Sequence, residues 1–148
     1  MTDKQIDDEV HGYTVVLPDL TPHGQTVVIQ RGDRVGAHVL HAESPDQSEL
    51  YVEVTTYPQR TAHDALISSQ QEFLRSNALD PVLSATGDTT LAGRQATTFD
   101  FEGLLQGRLK RRRFVFVDVA ARTYRVVYDH TSPLNAVVLQ SLVFSAPA

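Results

Sequence analysis

Apolar and polar residues alternate along much of this chain, and that period of two predicts strands. Tyr13–Leu17, rich in β-branched residues, is a first strand stopped by Pro18. Residues 26–30 make a second and residues 34–42 a third, with Arg31-Gly32-Asp33 as the hairpin turn between them. In residues 50–57, Leu50, Val52 and Val54 alternate with Tyr51, Glu53 and Thr55, giving one buried and one more polar face. Further strands are expected over residues 82–86, 89–91, 94–102, 109–117 and 123–129, with turns at Gly87-Asp88, Ala92-Gly93, residues 103–107 and residues 118–122.

Two segments carry helical spacing instead. Residues 62–76 place Ala62, Ala65, Leu66, Phe73 and Leu74 on one side, with Thr61 as the expected cap and Asn77 as the terminator. Ser132-Pro133 opens a second helix that carries Leu134, Val137, Val138 and Leu142. The last residues, 144–148, are too short for another element. Strands joined by tight turns pair antiparallel, so the fold class is α+β. Residues 1–11 are expected to be a flexible acidic tail, and residues 12–148 a single domain.

The segment Thr90-Leu91-Ala92-Gly93-Arg94-Gln95-Ala96, followed by Phe99 and Phe101, resembles a motif of the PsbP-like superfamily. The long hairpin over 113–129 and the closing Ser141-Leu142-Val143-Phe144 match the rest of that pattern. The superfamily includes PsbP, the Ran-binding Mog protein, DcrB-type proteins and Eag secretion chaperones. The resemblance implies an antiparallel sheet of six or seven strands flanked by helices, an α/β/α sandwich. It also implies a binding or accessory protein rather than an enzyme, and transmits no particular partner.

Composition narrows the chemistry. The 148 residues include no cysteine, which excludes disulfides, thiolate metal sites and cysteine nucleophiles. A formal net charge of −5 argues against a general nucleic-acid role. No apolar run is long enough for a membrane span. The polar, acidic start lacks a secretory signal, so the expected location is cytoplasmic.

No catalytic motif stands out, and no catalytic residue, cofactor or metal is assigned. His38 and His41 lie three apart in a predicted strand, which turns them to opposite faces and prevents chelation. His63 falls in the first turn of a helix, an ordinary exposed position. Arg108-Leu109-Lys110-Arg111-Arg112-Arg113 is the strongest local anomaly. As a partner-binding surface it would present Arg108, Lys110, Arg111, Arg112 and Arg113, with Phe114 and Phe116 beside them. As an ordinary strand it would split its charges between two faces, with Asp100 and Glu102 neutralising Arg113 or Arg111 across a hairpin.

The functional expectation is a non-catalytic protein that binds another polypeptide, for example as a bacterial secretion-effector chaperone or adaptor. A homodimer is one form of that partnership. A small-molecule or lipid carrier is the alternative, and an enzyme of unrecognised pattern the third.

Overall fold

The computed structural model describes residues 3–145. Residues 1–2 of the expected tail and 146–148 of the expected chain end lie outside them. The chain runs β1 (Asp3–Asp8), β2 (Tyr13–Pro18), β3 (Val28–Arg34), β4 (Ala37–Glu43), a 3₁₀ turn (Pro45–Gln47) and β5 (Tyr51–Tyr57). It continues with α1 (His63–Asn77), β6 (Leu79–Leu83), β7 (Gly87–Leu91), β8 (Arg94–Leu105), β9 (Arg108–Val119), β10 (Arg122–Tyr128), α2 (Pro133–Gln140) and β11 (Val143–Phe144).

All strand pairs are antiparallel, as tight turns require. The large sheet has eight strands in the order β3-β4-β5-β10-β9-β8-β6, with β7 also on β8. The small sheet is β1-β2-β11. The expected class, α+β on an antiparallel sheet, is what the chain adopts. Its detail differs. The sheet has eight strands rather than six or seven, and one face is covered by the small sheet together with α2, so the layers are not a simple α/β/α sandwich.

Alternation in β5, β9 and β10 separates two cores. Val52, Val54, Val115, Val117, Val119, Tyr124 and Val126 face the small sheet and meet Ile6, Tyr13, Val15, Leu17, Val138 and Phe144. Phe99, Phe101, Phe114, Phe116 and Val127 face the other way and are covered by Ile67 and Leu74 of α1. We call these the inner face and the helix face.

The expected acidic tail is corrected over Asp3–Asp8. These residues form β1, paired along its length with β2 from Asp3↔Pro18 to Asp8↔Tyr13. Ile6 and Asp8 are buried, while Asp3, Lys4, Gln5 and Asp7 stay exposed, so the acidic composition marks the wet side of an edge strand. The β3–β4 hairpin turns at Val35-Gly36, both at positive φ (48° and 78°), rather than at Arg31–Asp33, so β3 runs further than expected.

Helix caps also differ. Thr61 makes no capping bond to α1, because its hydroxyl donates to the Gln59 carbonyl at 3.2 Å. Ser132 precedes Pro133 as expected, yet its hydroxyl donates to the Glu49 carbonyl at 2.5 Å and ties α2 to the loop before β5.

Asn135 makes the strongest of these ties. It is fully buried; its amide nitrogen donates to the Asp129 carbonyl at 2.8 Å, and its Oδ1 accepts from the Tyr51 N–H at 3.1 Å. Asn135→Ala would leave both backbone groups unpaired in the interior. We expect a loss of about 2–4 kcal/mol in urea denaturation, with an unchanged slope. A loss below about 1 kcal/mol would show that water replaces the amide.

Candidate functional site

The basic run lies on β9 and is split by the pleat. Arg111 and Arg113 stand opposite Glu102 and Asp100 on β8. Arg111 Nε donates to Glu102 at 2.9 Å, and Arg113 makes two bonds to Asp100 at 2.8 and 3.0 Å. The hydrogen bond from Arg113 holds the Asp100 carboxyl below its usual range despite partial burial. Both pairs are well hydrated, so each adds at most about 1 kcal/mol.

Lys110 and Arg112 point to the helix face. Arg112 is buried, with its guanidinium 3.7 Å above the centre of the Tyr51 ring and 3.9 Å from the Asp129 carboxylate. Gln47 Oε1 accepts from Arg112 and, at 2.6 Å, from Lys110 Nζ. Arg108 remains exposed.

Phe114 and Phe116 are corrected as surface residues. They are 4% and 0% exposed beneath α1, where the Phe114 ring stacks on Phe99 at 4.8 Å. Arg112 is likewise an interior group. The accessible part of the predicted surface therefore reduces to Arg108, Lys110, Arg111 and Arg113.

The helix face is covered unevenly. Apolar residues of α1 pack over β8, β9 and β10, while β3 and β4 lie beyond their reach. The uncovered part is a polar cleft of about 570 Å3 lined by Gln30, Arg34, Val39, His41, Tyr51 and Glu53, among others. Its floor is a half-buried network. Arg125 Nη2 donates to Glu53 at 2.6 Å, and Nη1 donates to Gln70 of α1 at 2.5 Å. The hydroxyls of Tyr51 and Thr55 each donate to Glu53 at 3.1 Å. Burial opposes the charge on Glu53, but the Arg125 guanidinium and these donors outweigh it, so its carboxyl titrates below the usual range. Burial first, and then the Glu53 carboxylate, push the Tyr51 phenol up.

Sequence reasoning placed Tyr51, Glu53 and Thr55 on the polar face of β5 but missed their partners. The signal was a charged residue at each of two mostly buried strands, Glu53 and Arg125, and pattern alone does not say that they meet.

His63 also differs from expectation. It is only 20% exposed, with Nε2 2.9 Å from Asp118 and Nδ1 3.0 Å from the Thr97 hydroxyl. Thr123 donates to the same Asp118 oxygen at 2.7 Å. These contacts fasten the first turn of α1 to β8 and β9, which sets where the helix stops and the cleft begins. His38 and His41 do fall on opposite faces of β4: His41 opposes Glu53 on the helix face, while His38 opposes Thr56 on the inner face.

Glu53→Gln should destabilise the fold by on the order of 3 kcal/mol, because Arg125 keeps its burial and loses its counter-charge. Glu53→Leu combined with Arg125→Leu should cost less than the sum of the single changes, which a double-mutant cycle measures. A depressed carboxyl contributes stability above its unfolded pKa and loses it as pH falls through the folded one. The Glu53 contribution should therefore be complete above the ordinary value of 4.5 and fade in more acid solution. Parallel stability–pH curves for wild type and Glu53→Gln throughout that acid range would contradict this.

No protein-family model and no curated protein matches the chain. The solution structure of cyanobacterial PsbP from Synechocystis sp. PCC 6803 superimposes with a TM-score of 0.64 at 12% identity, covering 97% of this chain and 92% of that one. A crystal structure of PA94, a protein of unknown function from Pseudomonas aeruginosa, covers 100% of both chains at 12% identity, with a TM-score of 0.48. At such identity the first likeness speaks to architecture alone, and it agrees with the element order: this chain has a PsbP-like fold.

Proposed function

We infer that this chain is a non-catalytic accessory protein that holds an extended segment of another polypeptide. The observation that carries this reading is the open edge of β3 beside the polar cleft. Every residue of β3 except Ile29 is exposed, and β3 ends the large sheet. Its outer backbone groups are free to accept a further strand. A strand added there would send alternate side chains over the cleft lined by Gln30 and Arg34.

The start of β3 supports the same reading. Val28 and Arg108 line one shallow depression with the 3₁₀ turn, and Lys110 reaches Gln47 close by. Arg108 and Lys110 therefore lie at one end of the proposed track, beside Glu43 and Asp46, and the segment that suits this mixed-charge end is polar. Among the described residues no helix is long and apolar enough to cross a membrane. The carrier reading asks for a closed apolar cavity, whereas the cleft is open and polar-lined.

A photo-crosslinking residue in place of Gln30 should capture one discrete polypeptide in the cells that make this protein. The same probe in place of Thr90, at the far edge of the same sheet, should not. Equal adducts from both positions, or none from position 30, would remove the reading. An adduct to a second copy of the chain would make the partnership a homodimer. Native mass spectrometry separates the carrier alternative, which requires a retained mass above the 16.4 kDa of the chain.

A further inference from the structure

The loop between β1 and β2 brings together groups that the proposed track does not use. Asp8 closes this loop: its Oδ1 accepts from the His11 N–H at 3.0 Å, and its backbone carbonyl accepts from Gly12 at 2.8 Å. Gly12 has φ of +77°, and a Cβ there would meet the Tyr124 hydroxyl at 2.9 Å. Only glycine fits that conformation and approach. The Tyr124 hydroxyl donates to the His11 carbonyl at 2.5 Å, and Arg122 donates to the Val10 carbonyl at 2.8 Å. The loop is thus held against β10 by its backbone, leaving its side chains available.

His11 and His38 meet across the gap between the two sheets. Their rings stack at 3.7 Å with 11° between planes. His11 Nδ1 lies 2.9 Å from the second Asp8 oxygen. One carboxylate oxygen and one nitrogen from each ring all fall within 4.8 Å of one another. Asp8 is only 8% exposed. Two buried polar atoms nearby lack partners: His38 Nδ1 and the hydroxyl of Tyr13, the fully buried residue opposite Asp8 in the β1–β2 ladder. His11 and His38 also line an open depression of about 400 Å3, together with Asp33 and Thr56. An ion therefore has an entry path and room for water.

We propose that Asp8, His11 and His38 form a binding site for one Zn2+ ion, with solvent completing the coordination. Two imidazoles and a carboxylate are a zinc-type donor set. Ligation takes the carboxylate of Asp8 and neutral imidazoles, so the proton that His11 Nδ1 shares with Asp8 leaves as the ion binds.

Arg31 Nη1 stands 3.9 Å from Asp8 and competes with the ion, while Asp33 favours it. Tetrahedral zinc ligands lie about 3.4 Å apart, as bonds of about 2.1 Å require. The lone pairs of stacked rings also lie in separate, near-parallel planes and do not converge on one ion. Binding must therefore turn the His11 ring away from the stack, which tempers affinity and leaves the backbone clamp intact.

Zn2+ titration by calorimetry should give saturable uptake of one ion per chain at neutral pH. His11→Gln and His38→Gln should each weaken it by about 10-fold or more, and His130→Gln should not. Zn2+ should raise the melting temperature of wild type and leave that of His38→Gln in place. Imidazole nitrogen resonances of His11 and His38 should shift in wild type, a readout that needs no variant to fold. Absence of saturable uptake, or uptake indifferent to both histidines, would overturn the proposal.

Discussion

A pleated strand sends neighbouring side chains to opposite sides, and β9 uses that constraint to hold two cores apart. Val115, Val117 and Val119 enter one core while Phe114 and Phe116 enter the other. A slip of one residue would drive Arg112 into the inner core and the valines under α1. Tight turns fix the register at both ends of the strand, with Gln106 and Gly107 at φ of 53° and 78° before it and Ala120 at 55° after it. The pairing of Arg111 with Glu102 and of Arg113 with Asp100 follows from that register, so the basic run is mainly a product of alternation.

The same constraint explains why the helix face changes character across the sheet. Where α1 lies over β8, β9 and β10, the side chains are phenylalanine and valine. Beyond its reach the face must stay polar, because uncovered apolar surface would invite non-specific association. The polar side chains do not remain loose. Glu53, Arg125, Tyr51 and Arg112 join in a network that reaches Gln70 of α1 and Gln47 of the 3₁₀ turn. The network ties the helix to the cleft floor, and β3 stands beside it with its outer edge open.

Much of the architecture was legible in the chain. Alternation found β5, β8 and β10, β-branched content marked β2, flanking turns bounded β9, and helical spacing found α1 and α2, because one-sided burial leaves its period in the residues. β1 was hidden by its acids, since composition reads a charged edge strand and a solvated tail alike. The β3–β4 turn was misplaced because Gly32 is the more conspicuous signal, while the chain turns at Val35-Gly36. Of the cleft, the polar face of β5 was visible, but the approach of Arg125 to Glu53 was not.

By itself the sequence determined which residues prefer to be buried, the period with which they recur, and the absence of thiol chemistry. Tertiary structure decided which strands became neighbours. The pairing of β5 with β10, more than sixty residues apart in the chain, set Glu53 beside Arg125. The packing of the small sheet on the large one set Asp8 and His11 against His38. A hydrophobic pattern records how each side chain is partitioned between water and interior. It carries no record of which other segment supplies the covering surface, and both candidate sites were made by that choice of cover.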